Sequence, residues 1–361
     1  MGEMPALLFL MAGYLCFAFA AKRAWLFVPS SVAFWALALF TKVQVKPFLI
    51  VALLVPIVLT AIRRQFRLAR IFGTGLVGSL TCYLVLEALA QKISPSTHVS
   101  GLTPAMALVL APHIRFFVLF QTLKYAIPTV LGLLWGLHSF FKQNFDLKTH
   151  LEMVRFSFFL LVGSWFGWYE TLSVGWLRYM FPAAFLASIF VAAMLFEWTN
   201  GFNFRSMIEK VFSGRRIRFN REGLLALTSV LVVTISVVQT TKVIYAAHTV
   251  LADKSIKDVV RFLNTETAPN ALIETYETEL FFLLNRRYHY PPDQMHVELL
   301  RQTLLKEKVK IKYDPLVRNP DYLVVGFHGS WWKFYDSYLN TGDFHLIKVY
   351  PRYRIYERRR Q

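Results

Sequence analysis

The chain has 361 residues, 55% of them hydrophobic, with 33 Phe and 9 Trp, and a formal charge of +18. A soluble domain seldom exceeds about 50% apolar residues, so the composition argues against an ordinary soluble protein. The charge does not point to nucleic acid, because residues 1–250 hold 22 Lys and Arg against 8 Asp and Glu, whereas residues 251–361 hold 18 against 14. The excess lies among the loops of an apolar region, where orientation signals belong.

A helix that crosses a bilayer needs about 20 mostly apolar residues. Runs of that kind fall near 5–21, 24–41, 47–62, 70–90, 121–141, 151–168, 177–198 and 223–245. They predict a polytopic α-helical membrane protein of about eight spans, with a transmembrane domain over residues 1–250 and a small C-terminal α/β domain over 251–361. Counting loops alternately puts fifteen basic residues, from Lys22 and Arg23 to the cluster at 205–221, on one side and seven on the other. The richer side is cytoplasmic by the positive-inside rule. Loops 42–46, 91–120 and 169–176 and the tail after 245 then lie outside.

Residues 104–120 are apolar but short, and contain Pro104, Pro112, His113 and Arg115. They read as an external interfacial or re-entrant segment, since a ninth span would turn the basic residues of 205–221 outward. Cys16 and Cys82 fall inside spans as small apolar fillers. No signal peptide is evident, because Met1 lacks a basic flank and a small-residue cleavage site.

The tail has a different pattern. Residues 253–264 read as an amphipathic helix, 271–275 as a strand, 278–284 as a helix, 290–293 as a turn and 295–306 as a helix. A buried strand follows at 321–326, then a Trp-rich helix near 331–339 and two strands, about 344–349 and 352–357. Strands alternating with helices predict the small α/β domain.

Several stretches carry a family likeness. Gly2-Glu3-Met4-Pro5-Ala6 leads into a span, and Ala36-Leu37-Ala38-Leu39-Phe40-Thr41-Lys42 ends one with Thr-Lys. Gly175-Trp176-Leu177-Arg178-Tyr179-Met180-Phe181-Pro182-Ala183 opens a late span. In the tail stand Glu277-Thr278-Glu279-Leu280, Tyr288-His289-Tyr290-Pro291-Pro292, Asp321-Tyr322-Leu323-Val324-Val325-Gly326 and Tyr353-Arg354-Ile355-Tyr356. In order, spacing and sidedness these resemble the GT-C glycosyltransferases, in the bacterial branch related to protein mannosyltransferases and aminoarabinose transferases. The resemblance implies a multi-pass enzyme of the bacterial inner membrane with its C-terminal domain outside. It would move a sugar from a polyprenyl-phosphate carrier to a glycan, lipid or protein acceptor. It also implies further spans upstream and an acidic catalytic residue, usually Asp, in a first external loop. No matching loop occurs here, so the expectation is a chain lacking that N-terminal part.

Such a reaction needs a cation for the carrier phosphate, a carboxylate or metal to activate the acceptor, and a cavity for both. Arg178, at the outer mouth of its span, is the first candidate for the phosphate, with Lys42 and Lys46 beside it as point charges. Glu3, Glu170, Trp168 and Tyr179 are candidates for acceptor or sugar contacts, against an aromatic belt at the interface. His98, His113 and Arg115 are candidates for a gating loop. No metal ligands with useful spacing occur and no cofactor is implied with certainty, a divalent cation being the one candidate. Glu87 lies near the outer end of its span. Glu277, Glu279, Arg286, Arg287 and His289 read as a solvated cluster, and Trp331 and Trp332 as core packing. Two other classes remain open: a non-catalytic scaffold or glycan-binding membrane protein, and a transporter or flippase.

Overall fold

The computed structural model describes residues 3–93, 111–203, 205, 212–213, 216–217, 221–245, 254–308 and 313–359. Its contacts divide the chain into a helical unit that ends at Val238 and a C-terminal unit from Gln239 onward.

The helical unit contains α1 (Glu3–Phe19), α2 (Ala24–Thr41), α3 (Lys46–Ile62), α4 (Phe66–Ile93), α5 (Pro112–Tyr125), α6 (Ile127–Lys142), α7 (His150–Leu172), α8 (Leu177–Trp198) and α9 (Arg221–Tyr245), the last continuing past the division. A short hairpin pairs β1 (Phe212–Ser213) with β2 (Arg216–Ile217). Among the described residues five helices are long and apolar enough to cross a membrane, and six if α5 and α6 count as one bent span. No more than 39% of any of these five apolar stretches is buried within the protein. The outward Leu, Val and Phe side chains, such as Val77 and Leu134, therefore need an apolar surrounding. This is compatible with a multi-pass membrane protein.

The remaining expected spans differ in physical character. α1 has only 17 residues. α7 has 23, but carries His150, Glu152, Arg155 and Glu170. The expected straight span 121–141 is corrected, because the helix breaks at Ala126 and the two arms meet at 87°. Pro128 opens α6 and removes a backbone donor at the break. Residues 112–125 thus form a helix of their own, set at 87° to α6. Residues 94–110 lie outside the described residues.

The core of this unit is aromatic. Trp35 of α2 is fully buried, 5.2 Å from Tyr14 and 5.0 Å from Phe17. Gly13 makes room for it, since a Cβ there would lie 2.4 Å from the indole. Ser157 donates to the Ala52 carbonyl at 2.7 Å, so its oxygen accepts from the Tyr14 hydroxyl at 3.1 Å. That relay ties α1, α7 and α3 together where no water competes. α7 begins with a capping box, Thr149 and Glu152 each accepting the other's backbone N–H.

The C-terminal unit contains α10 (Ser255–Glu266), β3 (Leu272–Thr275), a 3-10 turn at Thr278–Leu280, β4 (Arg287–His289), α11 (Asp293–Leu304), β5 (Tyr322–Val325), α12 (Phe327–Trp331), α13 (Asp336–Leu339), β6 (Phe344–Val349) and β7 (Arg354–Arg358). The sheet order is β4-β3-β5-β7-β6, with β3, β4 and β5 parallel and β7 antiparallel to both neighbours. Side chains alternate across β5. Val324 packs with Val259, Leu263 and Ile273, whereas Leu323 and Val325 pack with Tyr335 and Phe344. Both faces of this central strand are therefore covered, β5 lying between the parallel β3 and the antiparallel β7.

Three local readings change here. The expected helix at 278–284 is a 3-10 turn over Thr278–Leu280 followed by turns, because the chain must return at once to pair β4 parallel with β3. The expected helix at 331–339 is two short ones, interrupted at Lys333, whose φ of 51° stops a right-handed helix. β4 lies where only a charged cluster is evident in the sequence.

Candidate functional site

The expected site residues of the helical unit gather at helix ends. Glu3, at the start of α1, is ion-paired with Lys42, which caps α2. Lys46 begins α3, its ammonium 5.2 Å from the centre of the Tyr83 ring on α4. Two residues on, Phe48 stacks on Trp165 at 4.7 Å and meets Trp168 edge-on at 5.8 Å. Trp168 in turn lies 5.9 Å from Tyr179.

Arg178 sits at the head of α8, exposed to the surroundings. Its guanidinium lies 4.4 Å from the Trp176 ring and 5.0 Å from the Tyr179 ring, and donates to the Tyr179 hydroxyl at 3.2 Å. Trp176 and Tyr179 are themselves stacked. The cation is thus held over two π-faces, with other N–H donors still free to point outward. The structure brings Arg178, Tyr179 and Trp168 into one aromatic chain that reaches the first turn of α3. Trp176 and Phe48 join that chain as well. Trp176 was signalled by its place beside Arg178, but nothing local marks Phe48.

Glu170 belongs to a second group. Its carboxylate accepts from the Thr122 hydroxyl of α5, and its backbone carbonyl accepts from Arg115 at 2.8 Å. Arg115 also donates to the Ser173 carbonyl. The guanidinium therefore caps the C-terminal end of α7, where carbonyls lack helical partners. Gly175 completes this corner. Its φ is +83°, and a Cβ would lie 2.9 Å from Phe117. His113 is exposed on the first turn of α5, and His98 lies outside the described residues. Arg115 thus clamps a helix end, while Glu3 and Glu170 are already engaged.

Among the described residues no group of three or more His, Cys, Asp or Glu is arranged to hold a metal ion.

The C-terminal unit holds a buried polar network that the sequence pattern did not mark. Glu274 of β3 is fully buried, and its carboxyl group accepts from Tyr313 at 2.8 Å and Tyr335 at 3.0 Å. His289 of β4 places Nδ1 2.6 Å from the other oxygen. Burial pushes the Glu274 carboxyl up to about 8, although the tyrosine hydroxyls pull it down. Burial likewise lowers His289, with the charge of Arg318 adding to it. Nearby, Glu277 accepts from the backbone N–H groups of Gly326, His328 and Gly329 at 2.8–3.3 Å. Its carboxyl is also raised by burial, against the effect of the Gly329 N–H. The expected solvated cluster is therefore not one: Glu277 is buried, and Arg286 donates to the carbonyls of Asn264 and Thr267.

Compared with known families and characterised proteins, the chain matches no family model and no curated sequence.

Proposed function

We propose that this protein is a GT-C-type membrane glycosyltransferase of about eight spans that binds a polyprenyl-phosphate sugar at the extracytoplasmic end of its helical unit. The polar C-terminal unit lies in the same compartment, and the acceptor is a glycan, lipid or protein. Arg178 is the primary phosphate ligand. The observation that carries the reading is its geometry, an exposed guanidinium steadied over Trp176 and Tyr179 at the mouth of an apolar helix. A phosphate arriving there pairs with preoriented donors while its hydrocarbon stays beside apolar helices. Lys46 is the second cation. Lys42 contributes less, since Glu3 already neutralises it. Trp168 and Tyr179 offer ring faces to a sugar.

One observation favours a second reading, a non-catalytic membrane protein that binds the lipid or a glycan. Both carboxylates assigned to this end, Glu3 and Glu170, are already engaged. Undecaprenyl-phosphate binding to the purified protein in detergent tests the common part. Arg178→Ala should weaken it about 10- to 100-fold, the range for charge-assisted hydrogen bonds, and Arg178→Lys should recover only part. Unchanged affinity in Arg178→Ala would remove the phosphate site and with it the glycosyltransferase reading.

A further inference from the structure

A different end of the helical unit carries a feature that glycosyl transfer does not use. At the α3–α4 turn, Arg64 adopts a left-handed backbone, with φ 58°, and leads directly into α4. Arg64, Arg67 and Arg70 are all exposed there, and among the described residues none has an acidic partner. Their basic neighbours are engaged: Lys148 pairs with Asp146 at 2.8 Å, and Arg63 donates to the Phe145 carbonyl at 3.0 Å. The first turn of α4 contains no acidic residue to offset them.

From this basic head a groove of about 680 Å³ runs along one face of α4, past Phe66, Ala69, Gly73, Thr74 and Val77. The i, i+3, i+4 spacing places these residues in one stripe. A Cβ at Gly73 would meet nothing within 4 Å, so the groove is open there. At Gly78 a Cβ would lie 2.9 Å from Val32 of α2, so backbone and neighbour close its far end. A second hollow, lined by Arg64, Gln65, Arg67 and Lys148, shares Phe66 with the first. The Gln65 Oε1 atom is buried there without a hydrogen-bond partner.

An apolar slot beside a cationic hollow fits an anion that carries a hydrocarbon tail. A free anion would leave the slot empty. The small residues would also suit a second α4, but a two-fold pairing about an axis along the helices would set Arg70 against its own copy. We propose that this groove is a binding site for an anionic phospholipid, its phosphate among Arg64, Arg67 and Arg70 and one acyl chain along Ala69, Gly73 and Val77. The proposal rests on the membrane residence of the helical unit and not on the reaction proposed above.

Native mass spectrometry of the full chain in detergent, with dioleoyl phosphatidylglycerol and dioleoyl phosphatidylcholine as probes, tests it. Phosphatidylglycerol should bind at least about tenfold tighter, and the double variant Arg67→Gln/Arg70→Gln should weaken it about thirtyfold, as expected for two surface charges. Gly73→Leu, whose Cβ has no protein atom within 4 Å, should fill the groove and weaken binding about as much at an unchanged thermal midpoint. Thr74→Phe serves as an independent filling variant. Equal binding of the two lipids overturns the proposal. So does displacement by inorganic phosphate with Gly73→Leu silent, which marks a free-anion site. So does a dimer that Gly73→Leu dissociates while lipid binding is unchanged. Alkaline carbonate extraction of membranes scores residence separately: protein that is stripped off refutes the membrane reading, whereas protein that stays but shows no lipid preference refutes this site alone.

Discussion

Glu274 and His289 lie 2.6 Å apart, yet their shifts are opposite to those of an ion pair, with the carboxyl raised to about 8 and the imidazole lowered. Both shifts have burial as their first cause, so the neutral pair is the favoured state near pH 7. The carboxylic acid then donates to Nδ1, while the two tyrosine hydroxyls donate to its other oxygen. The sign of the pH dependence follows. The folded carboxyl binds its proton more tightly than an unfolded one, so its stabilising contribution is complete below the ordinary carboxylate range and is lost as pH rises through about 8. Thermal unfolding of the full chain between pH 7 and 9, above the range in which the lowered His289 acts in the opposite sense, should show a falling midpoint. Glu274→Gln should flatten that fall, because the amide still accepts from the tyrosines and donates to His289; an undiminished slope in this variant would place the titration elsewhere. This network was not legible in the sequence. The strand at 271–275 was, but a Glu in a short strand looks solvent-facing until both faces of the sheet prove covered. Arg178 was legible because its partners Trp176 and Tyr179 are its near neighbours in the chain.

At the scale of elements, apolar runs located the helices, whereas bends depended on a few residues. The break at Ala126 was missed because the apolar count of 121–141 runs across Pro128 without registering it. What fixes α5 is remote in sequence: Arg115 donating to the Glu170 and Ser173 carbonyls, and Thr122 donating to Glu170. No spacing rule connects residues so far apart. Arg115→Ala should cost about 1.5–3 kcal/mol, the range for hydrogen bonds to a charged group, seen as a lower thermal midpoint in detergent. Gly175→Ala should also destabilise, by about 1 kcal/mol or more, since the left-handed backbone and Phe117 both oppose a Cβ. A midpoint unchanged in both variants would mean that this corner does not hold α5.

At the scale of the whole molecule, the alternation of basic loops is the main source of the functional reading. The internal contacts of the helical unit join helix ends in pairs. Glu3 meets Lys42 and the Glu170 carbonyl accepts from Arg115, while Arg63 donates to the Phe145 carbonyl and His150 meets the Phe17 carbonyl. Among the described residues the strongly apolar helices number fewer than eight because α1 is short, α6 is cut by its bend and α7 carries charge. Packing can stabilise such helices in a bundle, but no hydropathy count reveals it. The polyprenyl-phosphate reading requires that the C-terminal unit and Arg178 face the non-cytoplasmic side. Gln302→Cys, at an exposed position of α11, placed in a background of Cys16→Ala and Cys82→Ala, tests this directly with a membrane-impermeant maleimide on intact cells. The account predicts labelling without permeabilisation; labelling that appears only after the membrane is breached would contradict it.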